Sequence, residues 1–411
     1  MANRLLLKII SFIRTTLSYV LSLLSFLFFS FSCTPTEPKF INEELQLHLE
    51  DVSCIEAWVT LNTGKIKLPA EIAIYKNNTP VKNILCYGDT LLYIDSLVPS
   101  QIYTIQALLK EQEENQLPVT SNKITVTTMD TTSSNFTWQA WSFGAASSSN
   151  LYDVAIIDEN NIWAVGEFFL IDTLGRPEKH YNAIVWDGFD WTPRKIEVQF
   201  RGYTIMPPLE GIVVFSDTDI WLIGSLPISG NGKNWIMHDL RTTVDPGLSL
   251  AKGWGTSSNN MYFVGRAGSI AHWNGSKWIK IESGTKLPIL DIYGSLNPFT
   301  GKYEIFGTAH QVFTGTRHYF FEIDKNEVRP QNIEEFPDAI KSVWYLAGRK
   351  YYVVGEGLLY SNNIERGWKS EPSFPIYSVQ NIRGNGFNDI VAGGHFGLLA
   401  HYNGVRWTHF D

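Results

Sequence analysis

An aromatic residue, then Asn-Gly or Asp-Gly, then two residues and a tryptophan recur three times in this chain. The copies are Trp186-Asp187-Gly188 with Trp191, Trp273-Asn274-Gly275 with Trp278, and Tyr402-Asn403-Gly404 with Trp407. Asn-Gly and Asp-Gly favour tight hairpin turns in which both central residues take positive φ. Aromatic residues on either side are strand formers, so each copy predicts a β-hairpin. The turns are 87 and 129 residues apart, about two and three periods of 43. An all-strand repeat of roughly 40 to 50 residues predicts a β-propeller.

A second pattern runs in step with the first: a polar residue, a short apolar or aromatic run, and a closing Gly. It begins at Asn161-Ile162-Trp163-Ala164-Val165-Gly166 and ends on Gly224, Gly265, Gly307, Gly355 and Gly393 in the later copies, at intervals of 58, 41, 42, 48 and 38 residues. Six copies predict about six blades, with seven open if one is too degenerate to recognise. The continuous apolar character fits strands buried on both faces by neighbouring blades. Ahead of the first copy, Thr137–Gly144 resembles an outer strand, which predicts that it pairs beside the C-terminal strand and closes the ring.

The residues before the repeats divide into three parts. Arg4, Lys8 and Arg14 precede an apolar run from Tyr19 to Phe31, and no acid occurs before Glu37. That is the layout of an export signal over residues 1–32. Cys33 directly after the run resembles a bacterial lipobox, which implies lipidation of Cys33 and a tether over 33–38. An uncleaved anchor helix is the competing reading, although about 20 apolar residues are needed to span a bilayer. Without residues 1–32 the chain keeps 30 basic against 41 acidic residues, a net charge of −11. That balance excludes a nucleic-acid partner, which requires a basic face.

Residues 39–128 alternate as short strands over 45–52, 55–61, 72–75, 90–94, 103–109 and 123–128, which predicts a small β-sandwich. Within it, Leu97-Val98-Pro99-Ser100-Gln101-Ile102-Tyr103 resembles the approach to the tyrosine corner of fibronectin type III domains. The resemblance implies a spacing or adhesion role, with Trp58 as a core aromatic. Cys54 and Cys86 are open to two readings, a disulfide outside the cytoplasm or two small buried thiols. Polar residues 129–135 read as a linker and 136–411 as the propeller.

Candidate sites follow from positions that share the frame yet differ chemically. The residues after the closing glycines are Glu167, Ser225, Arg266, Thr308, Glu356, and Gly394 followed by His395. Glu167, Arg266, Glu356 and His395, with Asp153, are expected at one end of the channel, where Arg266, Glu356 and His395 would form a polar ring. The repeated tryptophans read as core, whereas Trp254 and Trp344 stand outside the repeats and are the aromatic ligand candidates. No metal-ligand spacing, nucleophile elbow or phosphate-cradling loop is present, so neither a metal nor a cofactor is expected.

Taken together, the blade pattern of Asn161–Gly166 with His272-Trp273-Asn274-Gly275 and Trp278 resembles a group of bacterial envelope lipoproteins. In these a fibronectin-like domain precedes a six-bladed propeller, and some are labelled glucosyl transferase. The resemblance implies an anchored protein in the envelope, at the outer membrane or cell surface, tethered to the membrane through Cys33. Its propeller would bind an envelope protein or polysaccharide without catalysis. The alternative is a carbohydrate-active enzyme using two carboxylates at the channel mouth.

Overall fold

The computed structural model describes residues 45–110, 118–144, 149–171, 175, 177–311, 318–333, 339–375 and 379–410. Cys33 and the export signal expected over residues 1–32 lie outside the described residues. Among those described, no helix is long and apolar enough to cross a membrane.

Six four-stranded antiparallel meanders follow one another along the chain, each with its strands in sequence order. They start at Asn150, Gly211, Leu250, Ile289, Ile340 and Val379, and are called here blades 1 to 6. The first strands of consecutive blades, from blade 1 to blade 6, pack side by side, which places them innermost around a central axis. The fold is therefore all-β, with a propeller of six blades among the described residues.

Aromatic side chains fill the seams between blades. Trp163 of blade 1 packs on Ile212 and Ile220 of blade 2, and Trp221 of blade 2 on Leu250 and Phe263 of blade 3. Tyr262, Phe306 and Tyr352 repeat the contact onto blades 4, 5 and 6. All five hold the same place in the second strand of their blade. At about 25 cal/mol per Å² of apolar surface removed from water, a buried aromatic is a main source of each seam's stability.

The hairpin turns differ from expectation in one respect. Trp273 pairs with Trp278, so the loop holds four residues, 274–277. Only the Gly takes positive φ, 86° at Gly275. Asn274 instead accepts hydrogen bonds through its side chain from the backbone of Ser276 and Lys277, at 3.1 and 3.0 Å. Asp187 and Asn403 do the same. Blade 2 carries a further copy at Asn231-Gly232, where Gly230 stands in place of the aromatic ahead of the turn.

Residues 136–144 form no strand. Phe136 and Trp138 instead lie against Phe410 of blade 6, with centroids 5.6 and 5.2 Å away. Trp141 and Phe143 lie against Trp191 of blade 1, at 6.1 and 5.8 Å. This aromatic strap spans blades 6 and 1 by ring contacts, in place of the ladder the sequence suggests.

Ahead of the propeller, strands Gln46–Val52, Ala57–Asn62 and Thr90–Ile94 form one sheet. Thr79–Cys86, Ala70–Lys76, Ile102–Leu109 and Ile124–Thr127 form another, in that order. The strand Thr79–Cys86 escapes a sequence reading because it is exposed along nearly all its length and so lacks apolar alternation. Cys54 and Cys86 are free, buried thiols.

Contacts divide the chain into two compact units, Met1–Leu49 with Val59–Leu92 and Tyr103–Thr125, and Glu50–Trp58 with Tyr93–Ile102 and Val126–Asp411. Within the second unit Trp58 stacks on Phe387 at 5.0 Å. In the same unit Lys350 Nζ and Glu56 Oε1 form a buried ion pair at 2.5 Å.

Candidate functional site

The inner strands carry a repeated irregularity at the end where each closing glycine lies. In blades 1, 3, 4, 5 and 6 the register skips one residue there, at Tyr152, Ala251, Leu290, Lys341 and Gln380. These are β-bulges, in which the extra residue has no partner across the ladder and its side chain is re-aimed. Glu210 holds the corresponding place in blade 2, where its N–H donates to Ile223 O at 2.7 Å. All six side chains reach solvent in part or in full. One residue per blade thus converges on the channel mouth.

A second, wider ring is made by the residues after the closing glycines. Arg266 reaches inward to Glu210 through two hydrogen bonds of 2.9 and 2.8 Å. The Glu210 carboxylate holds the guanidinium above its ordinary value. Glu356 lies beside Lys341, whose ammonium is pushed down by burial and partly restored by the Glu356 charge. Glu167 is 3.2 Å from His180. His395 is exposed at the rim of blade 6, its ring 6.2 Å from that of Phe396. Arg266, Glu356 and His395 therefore stand on three blades with three different sets of neighbours, not in one ring. Blade 4 is shifted relative to the sequence reading: Ile289 pairs with Ala309, so Ala309 and not Gly307 closes its strand.

Below the mouth, two ion pairs cross the channel. Lys252 of blade 3 reaches over Gly211 of blade 2 to Asp153 of blade 1, at 2.9 Å. Gly211 is required there, because a Cβ would come within 2.5 Å of Ala251 O. Three blades further on, Arg383 of blade 6 reaches past Ser342 of blade 5 to Asp291 of blade 4, with bonds of 2.6 and 2.8 Å. Both aspartates also accept from the backbone of the intervening blade, at Ile212 and Val343. Burial opposes the charge on Asp291, but Arg383, Ser342 and Val343 outweigh it and hold the carboxyl below its ordinary value. The Arg383 side chain is 49% exposed, yet burial is the largest influence opposing its charge, as expected of a group lining a narrow wet channel.

Between blades 1 and 4 the mouth opens into a cleft of about 240 Å³, lined by Tyr152, Glu210, Ala251 and Leu290 with Lys252, Arg266 and Ile289. An aromatic face, aliphatic walls and a few placed charges are the usual lining of a ligand site. The two tryptophans singled out from sequence lie elsewhere. Trp344 is 1% exposed and has no face to offer a ligand. It packs against Gly384 of blade 6, as Trp254 packs against Gly294 of blade 4. Both rings are seam elements.

Among the described residues no group of three or more His, Cys, Asp or Glu could hold a metal ion. The bulge residues escaped the sequence reading because a bulge is a mismatch between two strands and leaves no mark in either alone.

No protein-family model matches the chain, and no curated protein sequence matches it. Among solved structures it is similar to "YCF48 bound to D1 peptide", with 15% identity, 65% of this chain and 88% of that one covered, and a TM-score of 0.44. It is similar to the extracellular domain of the putative one component system BT4673 from B. thetaiotaomicron, with 13% identity and a TM-score of 0.44, covering 72% of this chain and 36% of that one. A quinonprotein alcohol dehydrogenase-like protein (BT1487) from Bacteroides thetaiotaomicron matches at 7% identity and a TM-score of 0.38, with 87% and 92% covered.

Proposed function

We propose that the propeller is a non-catalytic binding module whose ligand, a protein or a polysaccharide, sits in the mouth cleft. The observation that carries this reading is the five bulge residues with Glu210 at the corresponding place, which send six chemically different side chains to one place on a uniform frame. The carboxylates Glu210, Asp153 and Asp291 at and below the mouth each face a cation at 2.6 to 2.9 Å. Carboxylates so paired are neither poised to exchange a proton nor free to attack a sugar carbon. Tyr152 supplies an exposed face for stacking, and Arg266 with Glu210 supplies donors and acceptors at the rim.

In the same proposal the chain is divided as a sandwich over 39–128, a linker over 129–135 and the propeller over 136–411. The sandwich, fibronectin type III-like in its resemblance, serves as a spacer. A lipid on Cys33 would tether the protein to the cell envelope outside the cytoplasm. The test is binding of purified full-length protein to envelope glycans and peptides, scored for retention and for release of reducing ends. Tyr152→Ala and Arg266→Ala should each weaken retention at least tenfold. Turnover that disappears in Glu210→Gln, or retention indifferent to both alanine variants, would overturn the reading.

A further inference from the structure

The chain holds fourteen tryptophans, and Trp138 and Trp141 are the two that are exposed, at 65% and 43%; the rest are buried or half-buried. Both stand on the strap, three residues apart. Neighbouring rings brace them without lying flat on them. Trp138 meets Phe136 and Phe410 at interplanar angles of 74° and 73°, and Trp141 meets Trp186 and Trp191 at 59° and 73°. Each indole is thus held in place by two other rings and still shows flat ring surface to water. The polar groups of the strap are open as well. Thr137, Gln139 and Ser142 are exposed, and neither their side chains nor the two indole N–H groups form a hydrogen bond among the described residues. Residues 131–144 include no charged side chain. A segment that served only to join blades 6 and 1 would bury its tryptophans, as the blades bury theirs.

We propose that the strap is a binding platform for a neutral polysaccharide, whose sugar rings lie on the indoles of Trp138 and Trp141. A sugar ring offers an apolar C–H face with hydroxyls around its rim. Its complement is a flat exposed aromatic ring beside uncharged donors and acceptors, and the strap supplies both. An acidic glycan would be drawn to cations, and the strap has none. A protein partner is less favoured, because interface aromatics anchor in desolvated pockets at the centre of an apolar patch. Here Gln139 and Ala140 separate the two indoles, and polar side chains flank them. The Cα atoms of Trp138 and Trp141 are at most about 11 Å apart along the chain, so one oligosaccharide can reach both. Because the neighbouring rings fix the indoles in advance, binding loses little side-chain entropy. The platform shares no residue with the mouth cleft and stands or falls separately from it.

The experiment is native electrophoresis of full-length protein through gels containing β-glucan, galactomannan or starch, with polygalacturonate as the acidic comparison. At least one neutral polysaccharide should retard the protein, and polygalacturonate should not. Trp138→Ala and Trp141→Ala should each weaken that retardation at least tenfold, and Trp138→Tyr, which keeps a ring, should weaken it less than Trp138→Ala. Tyr203→Ala removes an aromatic that is 75% exposed away from the strap and should change nothing. A second measurement needs no variant. N-bromosuccinimide should oxidise Trp138 and Trp141 of the wild type before the other tryptophans, and the retarding polysaccharide should protect both, as read by peptide mass. No retardation by any of the three neutral polysaccharides overturns the proposal, as does equal retardation by polygalacturonate. Binding that survives both alanine variants, or oxidation of the two indoles that the polysaccharide does not slow, also overturns it. So does binding lost in Tyr152→Ala but kept in both alanine variants of the strap, which would move the glycan to the mouth cleft.

Discussion

Replacing Arg383 with Met tests whether the channel ion pairs are structural braces. In the native protein Asp291 is almost fully buried and accepts both terminal nitrogens of Arg383, the Ser342 hydroxyl and the backbone of Ile292 and Val343. Arg383→Met keeps the stem and removes the charge, leaving a buried carboxylate without its cation. Breaking a fully buried pair costs about 3–5 kcal/mol. Here the guanidinium side is half open to water, which replaces part of the lost interaction, so about 2–3 kcal/mol is expected at pH 7. In a domain of this size each kcal/mol moves the midpoint by roughly 2–4 °C, giving a fall of about 4–12 °C. Tryptophan fluorescence reads this transition well, because every tryptophan except Trp58 lies within residues 136–411.

The pH dependence gives an independent check. The native Asp291 carboxyl is held below its ordinary value, so its contribution is complete above about pH 4 and is lost as pH falls through the lowered value. Without Arg383, burial is opposed only by the Ser342 hydroxyl and the backbone N–H groups, so the carboxyl rises from its native value and a proton relieves the unpaired charge. The deficit of the variant should therefore be largest at pH 7.5 and shrink toward pH 4.5. A variant within about 1 °C of wild type at pH 7.5, or a deficit that does not shrink on acidification, would refute the reasoning.

The remaining predictions concern other buried polar groups. Lys350→Met should cost more than Arg383→Met, about 3–5 kcal/mol, because both partners of the Lys350–Glu56 pair are nearly inaccessible to water. The double variant Lys350→Met/Glu56→Gln should recover part of that loss in a thermal scan, and a double variant no better than the single one would contradict it. Burial lowers the imidazoles of His238 and His272, so the folded state favours their neutral forms. Their contribution is complete above the unfolded value of about 6.5 and is lost as pH falls below it. Wild type should thus melt at a lower temperature at pH 5.5 than at pH 7.5, and His238→Gln/His272→Gln should flatten that slope. Parallel profiles would remove histidine burial as the cause.

What was legible in the sequence was whatever repeats. Trp186, Trp273 and Tyr402 mark the hairpins, and the closing glycines count the blades, because each blade must meet the same steric demands. The repeated tryptophans read as core on the same ground, and Trp163 and Trp221 are core. The turn type was less legible, since hydrogen bonds accepted by the Asn274 side chain accommodate two more loop residues than the dipeptide suggests. Trp254 and Trp344 look free of the repeat because their partners, Gly294 and Gly384, belong to the next blade some 40 residues away. The site was the least legible part. Arg266 and Glu356 stand out as variable positions, but their partners Glu210 and Lys341 hold the inner-strand place that is a bulge in five blades, and a bulge exists only once two strands are laid together.

The bulges have a consequence for how such a surface can change. A residue within the ladder is constrained twice, by its neighbour across the strand and by the blade behind it. The side chain of a bulge's extra residue stands outside the register, so Tyr152, Ala251, Leu290, Lys341 and Gln380 can be exchanged without moving the register of any sheet. Ligand preference and foldability are thereby written in different residues of the same strand. A library randomised at these five positions should keep its melting temperature nearly constant while its binding spectrum varies widely.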